Sequence, residues 1–229
     1  SSGAGNYGAG RNTIEFRNGG TLIVEQGGQV LSQGTQGSAE AVNLMGTGNT
    51  IINSGTIAAT NAAAIWFESG TATNTIINNQ TGIIRAPGNV IGSSGNASVN
   101  FSNRGRVEGN LVFAGGNDTL RLFTGSVITG NIAGGAGNDS IFLDGTGTAT
   151  IPGNLTGFEA LTKSGSGTWT ITGTISGPTV TAVEAGTLVL TGNNTTYNGT
   201  MRVDPGATLE ARAQSLPPTG SNNGLARFT

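Results

Sequence analysis

Apolar and polar residues alternate along this chain in short runs. Leu120 and Leu122 flank Arg121, Ile141 and Leu143 flank Phe142, Trp169 and Ile171 flank Thr170, and Leu188 and Leu190 flank Val189. A period of two predicts strands of about three to five residues, each with one buried face. Clusters of Gly, Asn, Asp and Ser between the runs mark turns. The best helical candidate, residues 58–66 (AATNAAAIW), is interrupted by Asn61 and flanked by repeats, so it too reads as strand and turn.

The runs recur at a fixed step. NTIIN at 49–53 returns at 74–78, and VNFSN follows at 99–103, so Asn53, Asn78 and Asn103 share one phase with Ile51, Ile76 and Phe101. Asn18-Gly-Gly20-Thr-Leu22, Asn53-Ser-Gly55-Thr-Ile57 and Asn103-Arg-Gly105-Arg-Val107 share the form N-x-G-x-apolar. Gly109-Asn110-Leu111, Gly130-Asn131-Ile132 and Gly153-Asn154-Leu155 form a second series, and NDTLRL (117–122) leads to NDSIFL (138–143). A period of about 20–25 residues is too short for a propeller blade, and the leucine-asparagine signature of leucine-rich repeats is missing. One coil of a three-sided parallel β-helix, with three short strands and three turns, fits. Coils stacked at roughly 4.8 Å place residues one period apart above one another. Asn53, Asn78 and Asn103 are therefore expected to form an amide ladder. About ten coils would make a rod on the order of 50 Å long.

Composition supports a folded rod and removes much chemistry. There are 41 glycines in 229 residues, charged residues make up 10%, and net charge is −2. That balance argues against nucleic acid as a partner. With no cysteine and no histidine, thiol nucleophiles, disulfides, imidazole bases and the usual zinc ligand sets are excluded. No apolar stretch approaches the length of a membrane-spanning helix.

GGAGNDSIF, Gly134 to Phe142, fits the calcium-binding nonapeptide pattern G-G-x-G-x-D-x-U-x, in which U is a large apolar residue. Two readings are open. Asp118 and Asp139 stack in adjacent coils, and a calcium ion would relieve their repulsion with help from Asn117, Asn138 and Asp144. Alternatively the Asn-Asp pair only closes a tight turn; such calcium motifs work in tandem, and the match here is single. No other cofactor is expected. GAGNYG (Gly3 to Gly8) neither follows a strand nor opens a helix, so it is not read as a dinucleotide loop. A serine nucleophile would need Lys163, the only lysine, beside Ser164 and Ser166; an exposed turn lysine is the simpler reading. No carboxylate pair stands out for glycoside chemistry, and the chain is read as a non-enzyme. Outward-pointing large residues are the better candidates for a binding surface: Arg121 and Phe142 in one slot, Arg104 with Arg106, and Trp66, which cannot point inward if Phe67 does.

NTIINSGTIAATNAAAI, GGNDTLRLFTGSVITGNIAGGAGNDSIFLDGTG, GNLTGFEALTKSGSGTWTITG and GTLVLTGNNTTYNGTMRVDPGATLEARAQSLP together resemble the passenger region of type V secreted autotransporters, over residues 45–229. GTLVLTGNNTTYNGTMRV (186–203) is similar to the strand repeat associated with these passengers. The resemblance implies a right-handed β-helix, cell-surface or secreted localisation in a Gram-negative bacterium, and a membrane link only through a C-terminal barrel that this segment does not contain. It implies adhesion or self-association, with a host surface protein, a glycan or another copy as partner. A stalk displaying another domain, or a binder of one host protein, is the alternative. Residues 1–10 are expected to be a loose glycine-rich start, 11–229 a single helix, and 186–229 a C-terminal folding segment.

Overall fold

The computed structural model describes residues 12–68 and 72–212, with the backbone of strand Arg227–Phe228. The expected loose start therefore lies outside the described residues, as does much of the tail. The described chain is all-β, and every strand pairing is parallel. It winds as a three-walled β-solenoid of about 8 turns, with about 21 residues per coil. The count falls below ten because the first coils are long. Ile14 pairs with Val42, and Ile65 with Ile91, whereas later coils repeat every 20, 21 or 23 residues.

The second wall shows the stacking rule most plainly. Thr21–Val24, Thr50–Asn53, Asn74–Asn78, Val99–Asn103, Thr119–Phe123, Ser140–Asp144, Ala160–Lys163, Val180–Val183 and Thr200–Val203 follow one another in a single sheet. Their register aligns Leu22, Ile51, Ile76, Phe101, Leu120, Ile141 and Leu161 in one inward column. Apart from the partly buried Leu22, every member of this column is buried. Burying each Ile or Leu contributes about 1.5–3 kcal/mol, so a repeated apolar slot makes a continuous core. The expected alternation holds at 120–122 and 141–143, and Phe67 is inward and fully buried beside an outward Trp66. Residues 58–66 form the end of strand Thr56–Ala59, a turn, and the start of Ile65–Phe67.

The Asn ladder forms. Asn53 Nδ2 donates to Asn78 Oδ1 at 2.8 Å, and Asn78 Nδ2 donates to Asn103 Oδ1 at 2.8 Å. All three are fully buried. Asn53 and Asn103 each also accept from a turn amide two residues on, at Gly55 and Gly105. The amides thus satisfy turn backbone that has no strand partner. Gly105 tolerates no side chain there, because a Cβ would sit 2.3 Å from the carbonyl oxygens of Asn79 and Gly82.

The third wall is not continuous. Strands Ile83–Ser93 and Arg106–Val112 run round a corner and join the first and third walls into one sheet. The upper part of the third wall ends at Val127–Ile128, which pairs only with Arg106–Val107. Its lower part, Thr148–Ile151, Thr168–Ile171, Thr187–Leu190 and Thr208–Ala211, is a separate four-stranded sheet. No ladder connects Val127–Ile128 to Thr148–Ile151, and a cleft of about 480 Å³ lies along the seam.

Two outcomes follow from this architecture. Asn78→Ala removes the middle of the ladder and strands buried donors and acceptors, which costs on the order of 2–4 kcal/mol; it is expected to lower the urea midpoint, while Gln80→Ala, at an exposed turn position, leaves it near wild type. In hydrogen exchange, the amides of Val127–Ile128 and Thr148–Ile151 should exchange faster than those of Thr119–Phe123 and Ser140–Asp144 in the same coils. Equal protection of both sets would mean that the seam is closed.

Candidate functional site

Several buried polar side chains are used at the corners. At the entry of several second-wall strands, a polar side chain caps the entering backbone of the coil before it. Asn49 Oδ1 accepts from the Gly20 amide at 2.8 Å, and Asn74 Oδ1 from the Asn49 amide at 3.0 Å. Asp118 Oδ1 then accepts from Val99 at 2.6 Å, Asp139 Oδ1 from Asp118 at 2.7 Å, and Glu159 Oε2 from Asp139 at 2.6 Å. GGAGNDSIF is one step of this column. Its glycines are demanded by the stacking: Gly137 has φ 137° and Gly135 has φ 104°, where L side chains are strained.

Asp118 and Asp139 are buried, and the Oδ2 of each has no hydrogen-bond partner. Burial pushes the Asp118 carboxyl up to about 7, opposed by the hydrogen bond from Val99 and helped by the charge of Asp139. Asp139 is raised chiefly by burial, with Glu159 adding repulsion against the relief supplied by the Asp118 amide. Of the side chains expected to help complete a calcium shell, Asn117 and Asp144 have side-chain oxygens engaged elsewhere. Asn117 Oδ1 accepts from the Asn138 amide, and Asp144 bonds Arg121 and the Gly145 amide. Among the described residues no group of three or more acidic, His or Cys side chains is placed to hold a metal ion. Burial and the neighbouring carboxylates favour the protonated forms of this aspartate pair.

Lys163 is not an exposed turn lysine. It is fully buried and stands in the same slot as Leu143 and Val183. Its three ammonium donors are taken by the carbonyls of Ser164 (2.9 Å), Gly165 (2.7 Å) and Ala185 (2.8 Å). With those donors spent on turn carbonyls, the ammonium closes a corner and is not placed to serve a serine as base.

The outward candidates separate. Arg121 and Phe142 are in register, with the guanidinium carbon 4.4 Å from the ring centroid, and Arg121 also pairs with Asp144 at 3.2 Å. Arg104 lies over Phe123, 3.4 Å from its centroid, whereas Arg106 pairs with Glu108. These groups largely satisfy one another. Farther up the same outer slot, Ile23, Ile52 and Ile77 align in successive coils, and Ile23 is 57% exposed.

Trp66 belongs to a different assembly. On the outer first wall, Glu15, Asn43, Trp66 and Gly92 occupy one slot in successive coils. Gly92 makes room for the indole, since a Cβ there would sit 2.6 Å from Trp66 Cε3 and Cζ3. Glu40, just before strand Val42–Leu44, and Glu68, just after Ile65–Phe67, flank the slot. These residues line an open cleft of about 520 Å³. Three of the chain's twelve acids line it and, among the described residues, no base does, so its described lining is acceptor-rich and negative. Asn12 Nδ2 donates to Glu15 at 3.1 Å, and Asn43 Nδ2 and Ser94 Oγ donate to Glu68 at 3.2 and 3.3 Å. The carboxylate of Glu68 fixes the orientation of the Asn43 amide and leaves Asn43 Oδ1, buried, without a donor. Burial pushes Glu40 up, and the charges of Glu68 and Glu15 add to this against a backbone hydrogen bond. Trp66 was the only cleft residue that sequence reasoning singled out. Its partners come from coils of unequal length, so no fixed spacing links them.

No family model, no curated protein and no solved structure matches the chain. What the structure shows is a parallel β-solenoid with one acidic cleft beside an aromatic ring.

The buried aspartates give a pH dependence of definite sign. The folded Asp118 carboxyl titrates near 7, above its unfolded value of about 3.9. The cost of ionising it is therefore absent below about pH 4 and complete above about pH 7. Asp139 and Glu40 shift the same way. The melting temperature is expected to rise by several degrees from pH 8 to pH 5. Asp118→Asn, which places in this slot the amide already used at Asn49 and Asn74, should raise the melting temperature at pH 8 and flatten the profile. An unchanged profile would show that Asp118 is not the titrating group.

Proposed function

We propose that this chain is a passenger-type solenoid, exposed at or released from the surface of a Gram-negative bacterium, and that it acts in adhesion or self-association through its outer wall. The observation that carries the reading is the Trp66 cleft. Asp118, Asp139 and Lys163 are sealed inside structural columns, while an indole and three carboxylates gather on the outside with no basic side chain among the described residues lining the cleft. A half-buried aromatic ring in a recess is a typical anchor for a partner group. The autotransporter resemblance of residues 45–229 supplies the cellular setting. The aligned stripe of exposed Ile23 and half-buried Ile52 and Ile77 favours the self-association arm, because an outward apolar row suits contact with a second rod.

Beads coated with the chain are expected to attach to epithelial cells, to one another, or both. Trp66→Ala is expected to reduce cell attachment about tenfold with an unchanged far-ultraviolet spectrum and urea midpoint. Beads that neither attach nor cluster would sink the adhesive reading and leave a stalk. Clustering that survives Trp66→Ala but is lost in Ile23→Asp would assign self-association to the isoleucine stripe.

A further inference from the structure

The Trp66 cleft has a chemistry that selects among partner groups. Glu15, Glu40 and Glu68 line it beside Trp66, and the side-chain donors of Asn12, Asn43 and Ser94 are committed to Glu15 and Glu68. The recess therefore offers acceptors and negative charge. A sugar hydroxyl, which donates and accepts in turn, finds few donors to meet it. A metal ion needs several oxygens converging on one point, and no such group is found among the described residues. A flat or compact organic cation meets every feature. It has several N–H donors and no acceptor, positive charge for the carboxylates, and a favourable stack on the indole face.

We infer that the cleft is a receptor for a basic side chain, an arginine guanidinium or lysine ammonium presented by a partner protein, which stacks on Trp66 and hydrogen-bonds the Glu15, Glu40 and Glu68 carboxylates. This deepens the adhesive reading above and rests on it for its biological setting, but its chemistry is testable apart from it. Gly92 is a positioning residue: it seats the indole so that its outer face looks into the recess.

The molecule carries its own reporter. It has two tryptophans, and Trp169 is buried with its Nε1 donating to the Asp144 carbonyl at 3.0 Å. Emission changes on adding a ligand to the outer wall therefore report on Trp66. The probe is a hexa-arginine peptide, with a hexa-citrulline peptide as its neutral isostere of nearly the same shape. The expected result with the intact chain is a saturable change in emission with hexa-arginine, none with hexa-citrulline, and at least tenfold weaker binding in 0.5 M NaCl. Glu40→Gln combined with Glu68→Gln should weaken binding at least tenfold with an unchanged urea midpoint. Glu25→Gln, an acid outside the cleft, should leave it unaltered. Trp66→Phe should abolish the optical signal while binding persists by calorimetry.

Equal responses to hexa-arginine and hexa-citrulline would overturn the inference, as would binding indifferent to the double carboxylate change. If the double variant fails to fold, Glu15→Gln alone, at an exposed site, is the substitute, with a threefold loss expected and no loss counting against the inference. Failures of the two readings are distinguishable. Cell attachment that needs Trp66 but is not inhibited by hexa-arginine leaves adhesion standing and removes the basic side chain as ligand. Saturable hexa-arginine binding without cell attachment does the reverse.

Discussion

The solenoid depends on one constraint: each corner must hydrogen-bond backbone groups that the sheets cannot reach. Strands pair along the walls, but a chain that turns three times per coil leaves amides and carbonyls at every bend. The protein meets this by stacking a polar side chain at the same corner in successive coils. Asn53, Asn78 and Asn103 do so along one edge. Asn49, Asn74, Asp118, Asp139 and Glu159 do so along another. Asn110, Asn131 and Asn154 accept from the amides of Asn131, Asn154 and Thr174 along a third. A buried backbone group left unpaired costs about as much as a lost hydrogen bond, so these columns are as necessary to the fold as its apolar core.

Different chemistries fill one slot when they solve the same problem. In the Asn53 column the amides give way to Leu122 and Leu143, then to Lys163. The lysine donates to turn carbonyls where the amides donated to neighbouring side chains and backbone. In the strand-entry column, carboxylates replace amides at Asp118, Asp139 and Glu159. There the exchange has a penalty, since adjacent buried carboxylates repel and compete for few donors. Protonation relieves it.

The wall architecture was legible in the sequence because the strands alternate with period two and the coil repeat stays within a few residues, 25 along Asn53, Asn78 and Asn103 and 20, 21 or 23 in later coils. Leu120 over Ile141 and Leu122 over Leu143 follow directly from spacing. The inward position of Lys163 was also within reach: Leu161 points in, so Thr162 points out and Lys163 in. What misled was the habit of placing a lone lysine in water, although three carbonyls can accept its three donors. The Trp66 cleft was not legible, for a geometric reason. It joins Glu15, Glu40, Asn43, Trp66 and Gly92 across coils whose lengths differ, and two of its acids sit in turns outside the strand pattern. Only the folded register brings them to one place.

The interrupted third wall has a mechanical meaning. Two walls run across the junction at residues 127–151 with their hydrogen bonds intact, as in Leu111 to Ile132 on the first and Leu120 to Ile141 on the second. The third has none there. A beam with one side cut is stiff against bending that closes the cut and compliant against bending that opens it. The rod thus consists of two three-walled stretches joined along a two-walled spine. Its easy direction of flexure is set by which wall lacks its ladder, and loads on either end concentrate at that seam.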